Sequence, residues 1–358
     1  MKKYMFIVPS LSNAGAERVC SILSNELVKR GEDVTILEFF KRDGEYPIDK
    51  KIKKITLSGG GEQVYKKMSI FERSRKIRKI IYDENPDCII PFLRHINLQT
   101  YLFCKAKNRK NIIFTIRNSP YGKRGTVEKI HDYLINHKNK TIVQNQSQKD
   151  YFKSYAQNHI HIMGNPVDKN FLEKERCKDF SCFTVISAGR LECQKNFPML
   201  VRAFSDFAKD KNDVVLHIYG EGNDKDMLQD LIDKLGCGEK IKLMGRSNDL
   251  VSVYKEANLF ILSSNYEGMP NALLEAMAIG LPCISTDCPT GPSEMIVSGE
   301  NGLLVPVNDA EKLREAIEFM YNNRDKAEEM GQRAREHVAE NYRIEKIADR
   351  FLEIVELN

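Results

Sequence analysis

The segment Ser264–Ala278 carries two glutamates, Glu267 and Glu275, on either side of a Gly-Met-Pro-Asn turn. The apolar run Leu259–Leu262 before it reads as a strand. Ala272–Ile279 after it reads as a helix that starts at Pro270 or Asn271. Gly268 lets a ligand approach the backbone, and the amides of the first helical turn can receive a diphosphate or sugar hydroxyls. Two carboxylates suit a polyhydroxyl ligand, because each oxygen accepts two hydrogen bonds. Glu275, flanked by Leu274 and Ala276 on an apolar face, would be a costly buried charge without such a ligand.

A second segment, Gly189-Arg190-Leu191-Glu192-Cys193-Gln194-Lys195-Asn196, lies between the strand Phe183–Ser187 and a helix from Phe197. Arg190 can fork onto phosphate oxygens and Lys195 adds a point charge. Two cations can hold a diphosphate as charge develops on it, the task a metal performs elsewhere. Alone they would read as surface charges; at a strand-to-helix turn they read as a site. The first loop, Ser10–Arg18, has Gly15 between Ala14 and Ala16 but lacks Gly-x-Gly-x-x-Gly and a Walker lysine, so it adds little for dinucleotides or ATP. Asp224-Lys225-Asp226 opens a helix, where carboxylates serve as caps rather than as a metal cage.

The elements that must position these groups alternate along the chain. Strands are expected at Tyr4–Pro9, Asp33–Phe39, Cys88–Pro91, Asn111–Thr115, Thr141–Gln144 and His159–Met163, with helices at Ala16–Arg30, Ser69–Glu84, Asn97–Lys107 and Ser147–Ala156. The second set of strands is Phe183–Ser187, Val214–Tyr219, Ile241–Met244, Leu259–Leu262, Pro282–Ser285 and Leu303–Val305. Between them the helices are Phe197–Lys209, Asp224–Leu235, Asp249–Glu256 and Ala272–Ile279. Such alternation implies α/β architecture, two open parallel sheets covered on both faces. Asn165–Ser181 is the linker candidate, and 309–357 reads as helix broken near Asn322-Asn323 and Asn341-Tyr342.

At 358 residues the chain suits two domains, and its 42% hydrophobic and 29% charged content is that of a soluble globular protein. No apolar run is long enough to span a bilayer or to form a signal-peptide core. Nine irregularly spaced cysteines, with no Cys-x-x-Cys, suggest reduced thiols in the cytoplasm. Residues 1–170 hold 32 of the 55 Lys+Arg and 17 of the 50 Asp+Glu, leaving 23 and 33 for the rest, so the front half is basic. A basic front half suits an anionic partner, whether a membrane surface, a phosphorylated acceptor or nucleic acid, unless the charges merely solvate. The basic amphipathic stretch 66–81 is expected as a surface helix packed on the sheet, with contact to an anionic membrane the alternative.

The three loop segments together resemble the retaining glycosyltransferases of family 4, which have the GT-B fold, over essentially the whole chain and most closely over 185–310. The resemblance implies two Rossmann-like domains facing across a cleft: 1–168 for the acceptor, 169–341 for the nucleotide sugar, and 342–358 as a helix returning to the first domain. It implies that Arg190, Lys195 and Glu267 are catalytic. Donor contacts are implied for Gly15, Glu221, Gly245, Arg246, Gly268, Met269, Pro270, Asn271, Leu274 and Glu275. Ala14 stands where the family has a first loop glycine, and Thr115-Ile116-Arg117-Asn118 where many members have a histidine. Arg117 cannot act as a base; with Asn118 and His95 it is expected on the acceptor side, although a structural histidine is the plainer reading of His95.

The run Asp287–Ile296 looks like bacterial members that build surface polysaccharides on lipid-linked acceptors. The implied reaction moves a hexose or N-acetylhexosamine from a UDP-sugar to a glycan or polyprenyl-diphosphate-linked acceptor, with no metal, no cofactor and no nucleic acid. The implied location is cytoplasmic, peripheral on the inner face of the membrane. The non-hydrolysing UDP-N-acetylglucosamine 2-epimerases share this architecture and are the alternative, although the predicted cleft loops offer few histidines for their chemistry.

Overall fold

The computed structural model of the protein describes residues 1–12, 15–121, 125–137, 139–173, 182–247 and 249–357. Asn13 and Ala14 of the first loop, and 174–181 of the linker candidate, lie outside the described residues. The chain forms two compact units, Met1–Pro166 with Ile344–Asn358, and Val167–Arg343.

The first unit contains β1 (Lys3–Val8), β2 (Asp33–Glu38), β3 (Lys53–Thr56), β4 (Cys88–Pro91), β5 (Phe114–Thr115), β6 (Thr141–Val143) and β7 (Ile160–Ile162). They pair in parallel as β3-β2-β1-β4 and β5-β6-β7. A parallel bridge between Ile89 and Ile112 links the two sets. The strands β1 and β4 are apolar almost throughout, as strands covered on both faces must be.

The second unit contains β8 (Phe183–Ala188), β9 (Val214–Tyr219), β10 (Ile241–Gly245), β11 (Leu259–Leu262), β12 (Cys283–Thr286) and β13 (Leu303–Val305). They form one parallel sheet in the order β10-β9-β8-β11-β12-β13. Successive residues of β8 face opposite ways: Val185 joins the core beneath helix Phe197–Phe207, and Ile186 the core beneath helix Asn271–Ala278. The strand order reverses between β8 and β11, which opens a crevice at their carboxyl ends.

Some elements differ from expectation. The strand β3 (Lys-Lys-Ile-Thr) is too polar to be read as one, because it sits at a sheet edge with only β2 beside it. Helix Thr126–His137 is an addition to the expected set, and the expected helix Ser147–Ala156 is split into Gln146–Asp150 and a 3₁₀ turn at Ser154–His159. The expected strand Asn111–Thr115 shortens to β5. Asp224 occupies the N-cap of Lys225–Lys234, yet its side chain makes no cap hydrogen bond.

The tail forms three helices, Ala310–Asn322, Arg324–Asn341 and Ile344–Glu356. The last belongs to the first unit. Its Phe351 is fully buried, 5.6 Å from the ring of Tyr4 and 6.0 Å from that of Phe6, both on β1. Arg30 donates to the Glu345 carbonyl at 2.8 Å and pairs with Asp349, while Lys140 Nζ donates to the Ile354 carbonyl at 2.9 Å. A cation on the last turn of a helix meets carbonyls that have no partner within it.

Phe351→Ala is expected to cost about 3–5 kcal/mol through the cavity it leaves. Urea unfolding would show a lower midpoint; an unchanged midpoint would mean that the tail contributes nothing to the first unit.

Candidate functional site

The loops that follow β8 and β11 at the switch point are joined by a buried ion pair. Lys195 Nζ lies 2.6 Å from Glu267 Oε1, with the two side chains 13% and 7% exposed. Ser264 Oγ donates to the same oxygen at 2.6 Å, and Gln194 Nε2 approaches Oε2 at 3.4 Å. Charge-assisted contacts of this kind are the strong ones, and together they offset part of the cost of taking both ions out of water.

Backbone contacts stitch the two loops along their length. The Asn265 amide donates to the Gln194 carbonyl at 2.8 Å, Asn265 Nδ2 to the Cys193 carbonyl at 2.8 Å, and Ser263 Oγ to the Lys195 carbonyl at 2.7 Å. Asn196, in the left-handed region at φ 47°, donates to Asn265 Oδ1 at 3.0 Å. Cys288 nearby is buried, and burial pushes its thiol up to about 12, so it adds no charge.

The loop after β9 approaches from the other side. A Cβ on Gly220, which sits at φ 146°, would lie 1.8 Å from the Gly189 carbonyl oxygen, so only glycine fits there. The Leu191 amide donates to the Glu221 carbonyl at 3.0 Å, and the Gly220 amide to the Gly245 carbonyl at 2.8 Å. Glu221 is thereby set beside Gly245 and Arg246, and the loops after β8, β9, β10 and β11 meet at one end of the sheet.

Arg190 joins this group less tightly. Its side chain is 59% exposed and pairs with Glu192 at 2.8 Å; Nη2 reaches Gln194 Oε1 at 3.3 Å, and Gln194 in turn touches Glu267. Glu275 is buried one turn into helix Asn271–Ala278, whose N-cap is Pro270. Met269 is buried, and Leu274 lies in the apolar core with its amide donating to the Pro270 carbonyl. Gly268 is overlaid by Gly291: a Cβ on Gly291 would lie 2.4 Å from the Gly268 carbonyl oxygen.

The remaining expected residues lie in the first unit. Gly15 is exposed at the start of helix Gly15–Lys29, His95 is exposed, and so is Asn118. Arg117 is buried over the ring of Phe92 at 4.9 Å, its Nη1 donating to Asn165 Oδ1 at 2.8 Å, and burial pushes its pKa down to about 10. Among the described residues no hydrogen bond joins His95, Arg117 and Asn118 to one another. Sequence reasoning misses Gln194, Ser264 and Thr290; neutral and unpatterned, they give no signal beyond lying inside the motifs.

Two family models match the chain: Glycosyltransferase Family 4 over residues 13–171 and Glycosyl transferases group 1 over 168–337. A glycosyltransferase of Haemophilus influenzae is 27% identical over 98% of this chain and 99% of its own length. An α-1,4-N-acetyl-D-galactosaminyltransferase of Campylobacter jejuni, named for an undecaprenol-diphosphate-linked acceptor, is 25% identical over 99% of this chain and 98% of its own. Among solved structures, a TarM variant from S. aureus with UDP bound superposes with a TM-score of 0.83 at 16% identity, covering 100% of both chains. HepE of Anabaena with UDP and glucose gives 0.80 at 16%, covering 99% of each. Both matched models describe glycosyl transferases, which disfavours the epimerase alternative.

Lys195→Met leaves Glu267 buried without its cation and should cost about 3–5 kcal/mol. Adding Glu267→Leu should recover most of that loss in thermal unfolding. A double variant as unstable as the single one would show that the two charges are not coupled.

Proposed function

We propose, from the premise that this chain belongs to the family 4 glycosyltransferases with the GT-B fold, that it moves a hexose or N-acetylhexosamine from a UDP-sugar to a lipid-linked glycan. The acceptor would be a polyprenyl-diphosphate-linked saccharide of bacterial surface polysaccharide synthesis, as the acceptor in the name of the Campylobacter jejuni relative suggests. The observation that carries the reading is the Lys195–Glu267 pair at the switch point, with Arg190 beside it.

In this reading the diphosphate lies against Arg190 and Lys195, and Glu267 receives hydroxyls of the donor sugar. Glu275 takes the ribose, and Glu221, Gly245 and Arg246 border the base. The bond between the anomeric carbon and the phosphate oxygen breaks with its electron pair going to the phosphate. An acceptor hydroxyl bonds the same carbon on the same face, and its proton passes to the departing phosphate oxygen. The configuration is retained. The two cations stabilise the leaving charge, so no metal is needed. The first unit, with Arg117, Asn118 and His95, receives the acceptor.

A cytoplasmic enzyme with such an acceptor works at a membrane surface. Among the described residues no helix is long and apolar enough to cross a membrane. Helix Ile70–Glu84 buries Ile77 and Ile81 in the core, as a packed surface helix should, but leaves Ile70 64% and Phe71 84% exposed. Lys66, Lys67, Arg75 and Lys79 are exposed on or just before this helix, which supports contact with anionic lipid.

Arg190→Ala should lower kcat by about 10²–10³-fold, as loss of one charge-stabilising donor does, while the parent enzyme keeps its rate in EDTA. Turnover unharmed by the substitution, or abolished by the chelator, would refute this mechanism. Separately, Ile70→Glu/Phe71→Glu should abolish co-sedimentation with phosphatidylglycerol vesicles and leave the melting temperature unchanged; full retention on the vesicles would exclude this helix as the contact.

A further inference from the structure

Thr290 adopts φ 67° and is 4% exposed, in the loop that leaves β12. A β-branched residue is a poor choice for the left-handed region, where glycine or asparagine sits at far less steric cost. Strain of this kind persists only where the surrounding structure imposes it, and it concentrates at functional sites. Such a misfit calls for something that threonine supplies and glycine does not.

Its hydroxyl donates to the backbone carbonyl of Glu267. One residue on, Gly291 at φ 93° lies so close to the Gly268 carbonyl that a Cβ would come within 2.4 Å of it. At the other end of the same loop, Thr286 Oγ1 donates to the Ser264 carbonyl at 2.6 Å. The segment from Ser264 to Gly268 is thus gripped at both ends by the β12 loop. Between those ends the Ser264 hydroxyl and the Lys195 ammonium both meet Glu267 Oε1.

We infer that Thr290 is a positioning residue, whose hydroxyl fixes the Glu267 backbone and so sets the direction in which the Glu267 carboxylate is presented to the sugar. The inference rests on the reading of Glu267 as the group that meets the donor sugar. Thr290 itself touches no reacting atom. Serine could replace it, since serine keeps the hydroxyl; glycine would suit the backbone better and still fail, since nothing would hold the carbonyl.

The test compares Thr290→Gly, Thr290→Ser and Glu267→Ala in the full chain, with UDP-sugar turnover and thermal unfolding measured on each. Thr290→Gly should melt within about 4 °C of the parent. Its kcat should fall by about ten- to a hundredfold, as small misplacements of a catalytic group do, with KM for the UDP-sugar held within about twofold. Thr290→Ser should keep kcat within about threefold of the parent. Parental kcat in Thr290→Gly beside an inactive Glu267→Ala would overturn the positioning role alone. An active Glu267→Ala would overturn the sugar-contact reading and this inference with it. Loss of cooperative unfolding in Thr290→Gly would show that the hydroxyl holds the fold rather than aims the carboxylate.

Discussion

An ammonium and a carboxylate buried against each other at the carboxyl end of a parallel sheet set the terms for the second unit. Each ion alone would carry a desolvation penalty of several kcal/mol, so neither Lys195 nor Glu267 can be placed without the other. That mutual dependence ties the loop after β8 to the loop after β11. Glycines pack around the pair. A Cβ on Gly189 would meet the Lys195 stem at 2.9 Å, and Gly220 must be bare because it lies on the Gly189 carbonyl. The switch point brings the two loops to one end of the sheet, and the ion pair joins them there.

Preorganisation is the chemical return on that arrangement. Ser264 and Gln194 hold Glu267 through its two oxygens, so the carboxylate is fixed by neutral donors as well as by its cation, the rigidity that the proposed reaction would call for. Arg190 is different. Exposed and paired with Glu192 at the surface, it is held by an ion pair of small worth.

The strands legible in the sequence are those buried on both faces, because a short unbroken apolar run such as Phe6-Ile7-Val8 or Phe260-Ile261-Leu262 suits a central parallel strand. Edge strand β3 is hidden by its lysines, and helix Thr126–His137 by a pattern in which Val127, Ile130 and Tyr133 stay exposed. The charged groups of the site stand out as motifs. Their pairing does not: Lys195 reads as a phosphate contact and Glu267 as a sugar contact, yet the two touch across 72 residues of sequence. Long-range contacts between polar side chains leave no periodicity to read. The hydrogen bonds of Gln194 and Thr290 become visible only when the loops are placed side by side.

The helix Ile344–Glu356 leaves the ribosome after the whole of the second unit, while its partners on β1 leave before that unit. Tyr4 and Phe6 must therefore wait, one aromatic face uncovered, through synthesis of the entire second unit. The first unit becomes complete only once residues 344–356 have been made, later than the unit that interrupts it in sequence. During that interval the uncovered rings are open to non-native apolar contacts, the usual hazard of a unit whose last element is made late.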